Sequence, residues 1–197
     1  MTLKVLVMSG SARRASLNRR FAAFAAERLA AGGAAVTTVD WGALDLPLYH
    51  GDLEAAGLPT GALALRRLLA EHDALFVSTP EYNAFVPPLL VNAFDWVSRV
   101  PASDGLPQGL ATTAGKVAGL VSASPGPLGG LRSLGALRGF LGATIGLLVV
   151  PEHYALGQAD KALADGATLD ARQDAGLQRV VDAVLRTGRA LQAARGA

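Results

Sequence analysis

Five short apolar runs, spaced along the chain and separated by stretches with helical spacing, constrain this sequence most. They fall at residues 3–8, 35–39, 73–78, 116–121 and 144–150. Most are apolar at nearly every position and rich in Val, Leu and Ile, the pattern of strands buried on both faces. Between them, residues 16–31 place Leu17, Phe21, Phe24 and Ala25 on one helical face and stop at Gly32 and Gly33. Residues 61–71, 87–100 and 130–141 also read as helices, the second starting at Pro87 and Pro88 and the third carrying Leu131, Leu134, Leu137 and Leu141 in step. The last helix is marked by Leu177, Val180, Val181, Val184, Leu185 and Leu191 on a single stripe. Residues 42–61, with Pro47, Gly51, Gly57 and Pro59, and residues 101–115 read as loops.

Strands alternating with helices predict an α/β fold with a parallel sheet covered on both sides and joined by right-handed crossovers. Five strands fit a flavodoxin-like three-layer sandwich in the order 2-1-3-4-5 better than a six-stranded dinucleotide fold. No linker or internal repeat divides the 197 residues, so one domain over 1–197 is expected.

Composition removes several functions. The chain has no cysteine, which excludes disulfides, thiolate catalysis and zinc–sulfur sites. His50, His72 and His153 lie far apart without ligand spacing, so no metal site is expected. A net charge of only +2 with no run of Lys and Arg argues against nucleic acid. No apolar stretch has the length of a membrane span. The N-terminus enters a strand at once without the order of a signal peptide, so a cytoplasmic protein is the expectation.

Three turns carry the chemistry. After the first strand, residues 9–18 hold Gly10 for a sharp turn, Ser11, Ser16 and Asn18 as hydrogen-bonding groups, and Arg13 as a charge, where a helix begins. Free N–H groups and partial positive charge at a helix start stabilise a phosphate. The segment is neither a P-loop nor a dinucleotide fingerprint. A plain Ser16 cap and a solvated Arg13 would satisfy the same residues.

After the third strand, residues 79–88 place Pro80, Glu81, Tyr82 and Asn83 in a polar segment stiffened by Pro80, Pro87 and Pro88. A flat ring gripped by its polar edge suits such a segment, at the strand ends where α/β sheets bind ligands. After the fourth strand, Ser124, Pro125 and Gly126 open a turn that ends at Gly129 and Gly130. It allows close approach of a ligand or serves packing alone. The helix that follows the second turn is apolar on nearly every side, through Leu89, Leu90, Val91, Ala93, Phe94, Trp96 and Val97. Its outer face therefore needs a cover, either a second subunit or the 101–115 loop.

Taken together, the three turns resemble those of the NADPH-dependent FMN reductase family, flavodoxin-like flavin, quinone, azo-dye and chromate reductases, over roughly residues 4–150. The pattern G-S-x-R-x-x-S-x-N is matched by Gly10, Ser11, Arg13, Ser16 and Asn18. T-P-E-Y-N is matched by Thr79, Pro80, Glu81, Tyr82 and Asn83, and S-x-G-x-x-G-G by Ser124, Gly126, Gly129 and Gly130. N-A-x-D-W-x-S-R is matched by Asn92, Ala93, Asp95, Trp96, Ser98 and Arg99, while Val91 stands where family members commonly carry lysine.

The resemblance implies non-covalently bound FMN. Its phosphate would be held by Ser11, Arg13, Ser16 and Asn18, its ring and ribityl chain by Pro80, Glu81, Tyr82 and Asn83, with Ser124, Pro125 and Gly126 near the flavin. It further implies NADPH or NADH as co-substrate, hydride transfer through the flavin to a small acceptor (flavin, quinone, azo compound or oxyanion), no protein acid, base or nucleophile, and a homodimer or homotetramer. The competing expectations are a flavodoxin-type electron carrier without NAD(P)H turnover and an interaction protein on a borrowed fold.

Overall fold

A computed structural model describes residues 1–195 of the chain. Its sheet has the strands β1 (Lys4–Ser9), β2 (Ala35–Thr38), β3 (Ala74–Thr79), β4 (Val117–Ala123) and β5 (Leu148–Leu156). They lie in the order β2-β1-β3-β4-β5, every pairing parallel, as the alternation predicts. The helices are α1 (Leu17–Ala31), α2 (Trp41–Leu44), α3 (Gly51–Ala56), α4 (Thr60–Glu71), α5 (Pro88–Arg99), α6 (Leu131–Gly139), α7 (Ala159–Ala162) and α8 (Ala171–Arg195).

Successive strand residues point to opposite faces and so build two cores. Val5 and Val7 join Phe21, Leu29, Leu177, Val181 and Val184 beneath α1 and α8. Leu6 and Met8 join Leu65, Leu69, Leu90, Phe94, Leu134 and Leu137 beneath α4, α5 and α6. Both faces are thereby closed, and the strand ends at the C-terminal edge remain to shape a site.

Several expectations are corrected. The fifth strand is Leu148–Leu156, not 144–150. Residues Phe140–Thr144 continue α6 as a π-helical turn, and Gly146 at φ 78° ends it before the strand starts. The pairing also slips between Ala118 and Leu120, where Val149 and His153 are the opposing residues, so β5 bulges around Pro151. An edge strand tolerates proline at a bulge. The guanidinium of Arg138 donates to the carbonyls of Val150 (2.8 Å) and Pro151 (3.2 Å) there. Leu131, expected on the buried stripe of α6, is exposed.

The 42–61 loop contains α2 and α3. The 101–115 loop contains a 3-10 turn at Gly109–Thr112. Arg66 is only 1% exposed and donates to the carbonyls of Pro101 (3.1 Å), Ser103 and Pro107 (both 3.4 Å), organising that loop from within.

The cover for α5 comes from the chain itself. The strap formed by residues 46–58 crosses it. Asn92 accepts from the N–H of Tyr49 (2.8 Å) and donates to the carbonyl of Pro47 (2.8 Å), which also receives the indole N–H of Trp96 (2.8 Å). Glu54 on the strap accepts from Arg99 (2.8 Å) and from the hydroxyl of Tyr49 (2.7 Å). On another side Gly109 donates to the carbonyl of Val100 (2.8 Å). Trp96 is 0% exposed as a result, and the apolar character of α5 supplies no reason of its own for a second subunit. No helix among the described residues is long and apolar enough to cross a membrane.

Candidate functional site

The turns leaving β1, β3 and β4 meet in one cleft of about 310 Å³. Small-molecule sites run to roughly 300–1,000 Å³, so this one is of ligand size. It is lined by Ser11, Arg13, Ser16 and Asn18 from the first turn, Pro80, Glu81 and Tyr82 from the second, and Ser124 and Pro125 from the third. Nine of the eleven residues expected to bind a cofactor therefore share one surface. Asn83 and Gly126 do not line it. Leu17 and Ala123 do, although neither carries chemistry by which a sequence reading would single it out. A separate depression of about 260 Å³ beside α1 holds Arg20, Phe24, Leu163 and Asp165, with none of the expected residues. Arg20 there is already paired with Asp165 (2.6 Å).

The first turn is built to receive an anion. The side chain of Ser16 caps α1, accepting from the N–H groups of Asn18 (3.2 Å) and Arg19 (3.4 Å). Among the described residues, the N–H groups of Ala12, Ala15 and Leu17 have no partner. The first turn of α1 carries no acidic residue of its own to neutralise its positive end. Arg13 is exposed, lines the cleft and makes no side-chain hydrogen bond or ion pair among the described residues. Gly10 lets the first and second turns touch: a Cβ there would stand 2.9 Å from Pro80 and 3.0 Å from Pro87.

Asn18 has a different use from the one expected. It is 3% exposed, and its side-chain oxygen accepts from the N–H of Ala123 and the hydroxyl of Ser78, both at 3.0 Å. Its amide nitrogen donates to the carbonyl of Ala123 (2.9 Å). It fastens the start of α1 to the ends of β3 and β4 and so fixes the floor of the cleft.

Glu81 is also redirected. Its carboxylate receives the N–H groups of Arg132 (3.0 Å) and Ser133 (3.3 Å), capping α6 in place of Gly130, which has no side chain to do so. It forms an ion pair with the Arg132 guanidinium as well. Those hydrogen bonds, the Arg132 side chain first, hold the Glu81 carboxyl below the usual carboxylate range.

The unfolded chain takes up this proton at a higher pH than the folded one, so the contribution of Glu81 to stability is full above the usual carboxylate range and fades as pH falls through the lowered value. Glu81→Gln is therefore expected to reduce the melting temperature at pH 7 and to converge on the parent protein in acid. Thermal denaturation at a series of pH values reads the difference.

Tyr82 and Phe85 close a two-residue turn by exchanging backbone hydrogen bonds (Tyr82 N to Phe85 O 3.2 Å, Phe85 N to Tyr82 O 2.9 Å). Asn83 at φ 51° and Ala84 at φ 63° occupy its tip. Asparagine suits that left-handed region, whereas alanine is strained in it. The turn after β4 packs as one of its two expected roles required: Gly129, at φ 61°, lies against the backbone of Ala155, Leu156 and Gly157, where any Cβ would collide. The hydroxyl of Ser122 holds the Gly129 carbonyl (2.7 Å).

A family model described as NADPH-dependent FMN reductase matches residues 3–161. A quinone reductase of Pseudomonas putida strain KT2440 is 36% identical over 179 residues, covering 90% of each chain. A 2-hydroxy-1,4-benzoquinone reductase of a Burkholderia species is 35% identical over 167 residues, 84% of this chain and 85% of its own length. Among solved structures, the flavoenzyme NAD(P)H:(acceptor) oxidoreductase FerB of Paracoccus denitrificans superposes with a TM-score of 0.77 and 32% identity, over 95% of this chain and 98% of its own.

Proposed function

The chain belongs to the NADPH-dependent FMN reductase family, and we propose that it holds FMN in the cleft between the turns leaving β1, β3 and β4 and reduces a quinone, flavin or similar small acceptor at the expense of NADPH or NADH. The single observation that carries this reading is the convergence of the three turns around an anion-ready helix start that has no anion of its own.

The residues present fit the group. Arg13, Ser11 and the unpartnered N–H groups of the first turn would take the phosphate. The backbone and rings of residues 80–82 would take the flat heterocycle, with Ser124 and Pro125 as the opposite wall. When bound, FMN would supply the redox chemistry that couples oxidation of the nicotinamide to reduction of the acceptor. The protein's part is placement. Holding two reactants in contact geometry offers up to about 7–11 kcal/mol by analogy with oriented intramolecular reactions. Asn18 and Glu81 act one step back, the first fixing the floor and the second the wall to α6.

The names of the relatives favour a quinone among the acceptors. Assembly into a homodimer or homotetramer belongs to the same proposal. The strap offers an apolar surface for it in Leu48, 75% exposed, and Leu53, and sedimentation velocity tests it.

The deciding experiment is to load the purified protein with FMN and follow NADPH and NADH oxidation with 1,4-benzoquinone present. Continuous oxidation is expected. FMN uptake without NAD(P)H oxidation would favour an electron carrier, and a protein that takes up no FMN would remove the reading.

A further inference from the structure

We infer that Phe85 forms, together with Tyr82, an aromatic shelf at the mouth of the cleft that selects acceptors by ring area, favouring fused-ring quinones over single-ring ones. The inference rests on the proposed function and adds a residue to it that none of the motifs contains.

The geometry follows from the turn. Tyr82 and Phe85 exchange both backbone hydrogen bonds, so they form a directly opposed pair at the base of a two-residue turn. Side chains of such a pair stand on the same face, with Cα atoms roughly 5.5 Å apart. Tyr82 lines the cleft; Phe85 stands outside its lining, on the same face of the turn as Tyr82 and next to it.

Mobility does not account for the exposure of the two rings, 49% for Tyr82 and 58% for Phe85. The turn is fixed at both ends. Upstream, Glu81 is tied to Arg132 and Ser133. Downstream, Val86 is buried and Pro87 abuts Gly10. The tip keeps Ala84 at φ 63°, a conformation that persists in a non-glycine residue only where its surroundings impose it and that is frequent at ligand sites. Two aromatic rings, each about half exposed on a stiff turn beside a cleft of ligand size, fit a planar apolar guest entering that cleft.

The test uses the FMN-loaded protein and compares kcat/KM for 1,4-naphthoquinone with that for 1,4-benzoquinone, a ratio that does not depend on the fraction of active enzyme. Phe85→Ser is expected to lower the ratio about three- to tenfold, the size of one aromatic contact, and Phe85→Tyr is expected to restore it. Phe85→Leu, which keeps the apolar volume, is read in the same way if the serine variant does not fold, with a smaller fall. An unchanged ratio overturns the shelf. Loss of subunit association with the ratio unchanged assigns Phe85 to a subunit contact instead and overturns it too. A parent protein that binds no FMN or reduces neither quinone removes the functional reading and this inference with it. A parent that reduces both, with a variant ratio equal to its own, removes the inference alone.

Discussion

Replacing Arg13 by alanine is expected to weaken FMN binding about ten- to a hundredfold, the range of a hydrogen bond to a charged group, and to leave the melting temperature of the unloaded protein where it was. The two halves of this expectation come from the same fact. Arg13 lines the cleft and its side chain has no hydrogen-bond or ion-pair partner among the described residues, so its removal breaks no polar contact of the fold among them. Fluorescence titration with FMN, beside a thermal melt without it, reads both. Unchanged flavin affinity would show that the backbone N–H groups of the first turn suffice for the phosphate. Because the contact is between opposite charges near the surface, the difference between parent and variant should also shrink as salt is raised.

Asn18→Ala should behave in the opposite way. The substitution removes three hydrogen bonds and leaves the N–H and carbonyl of Ala123 and the hydroxyl of Ser78 unpaired in a buried place. A net loss of about 1 kcal/mol for each bond gives roughly 3 kcal/mol, and more if the orphaned groups stay dry. At this chain length that corresponds to a fall in melting temperature of roughly 6–12 °C. Urea denaturation of the unloaded protein measures it. FMN affinity should fall as well, but through displaced strand ends, so a melting temperature near that of the parent would contradict the tie between α1, β3 and β4. The pair of variants separates two roles that the spacing of the first motif presents as one.

That separation marks the boundary of what the sequence makes legible. The layers, the strand order and the convergence of three turns follow from periodicity, because apolar spacing is dictated by burial and burial by the sheet. The direction of a polar side chain is not encoded in that way. Asn18 and Glu81 lie in motifs that suggest ligand contact. Their polar atoms turn instead to backbone groups 105 and 51 residues away along the chain, and local pattern carries no trace of such partners.

The bounds of the fifth strand are obscured for a related reason. Pro151 reads as a terminator unless the strand is known to be at the edge and bulged, which is a property of its neighbour. The helices α2 and α3, four and six residues long, are too short to show a period. With them the strap over α5 escapes a sequence reading, which offers a second subunit or the 101–115 loop for a face that residues 46–58 also cover.

The turn at 82–85 closes its own hydrogen-bonded ring. Its backbone bonds close between its own two ends, while the anion-ready loop belongs to another strand and the cap of α6 depends on Glu81, outside the turn. Laboratory evolution of this protein toward new oxidised compounds can thus be confined to the codons of Ala84 and Phe85. Randomising these two changes what meets an incoming molecule, and leaves Tyr82 and the rest of the cleft lining that would retain the prosthetic group in place.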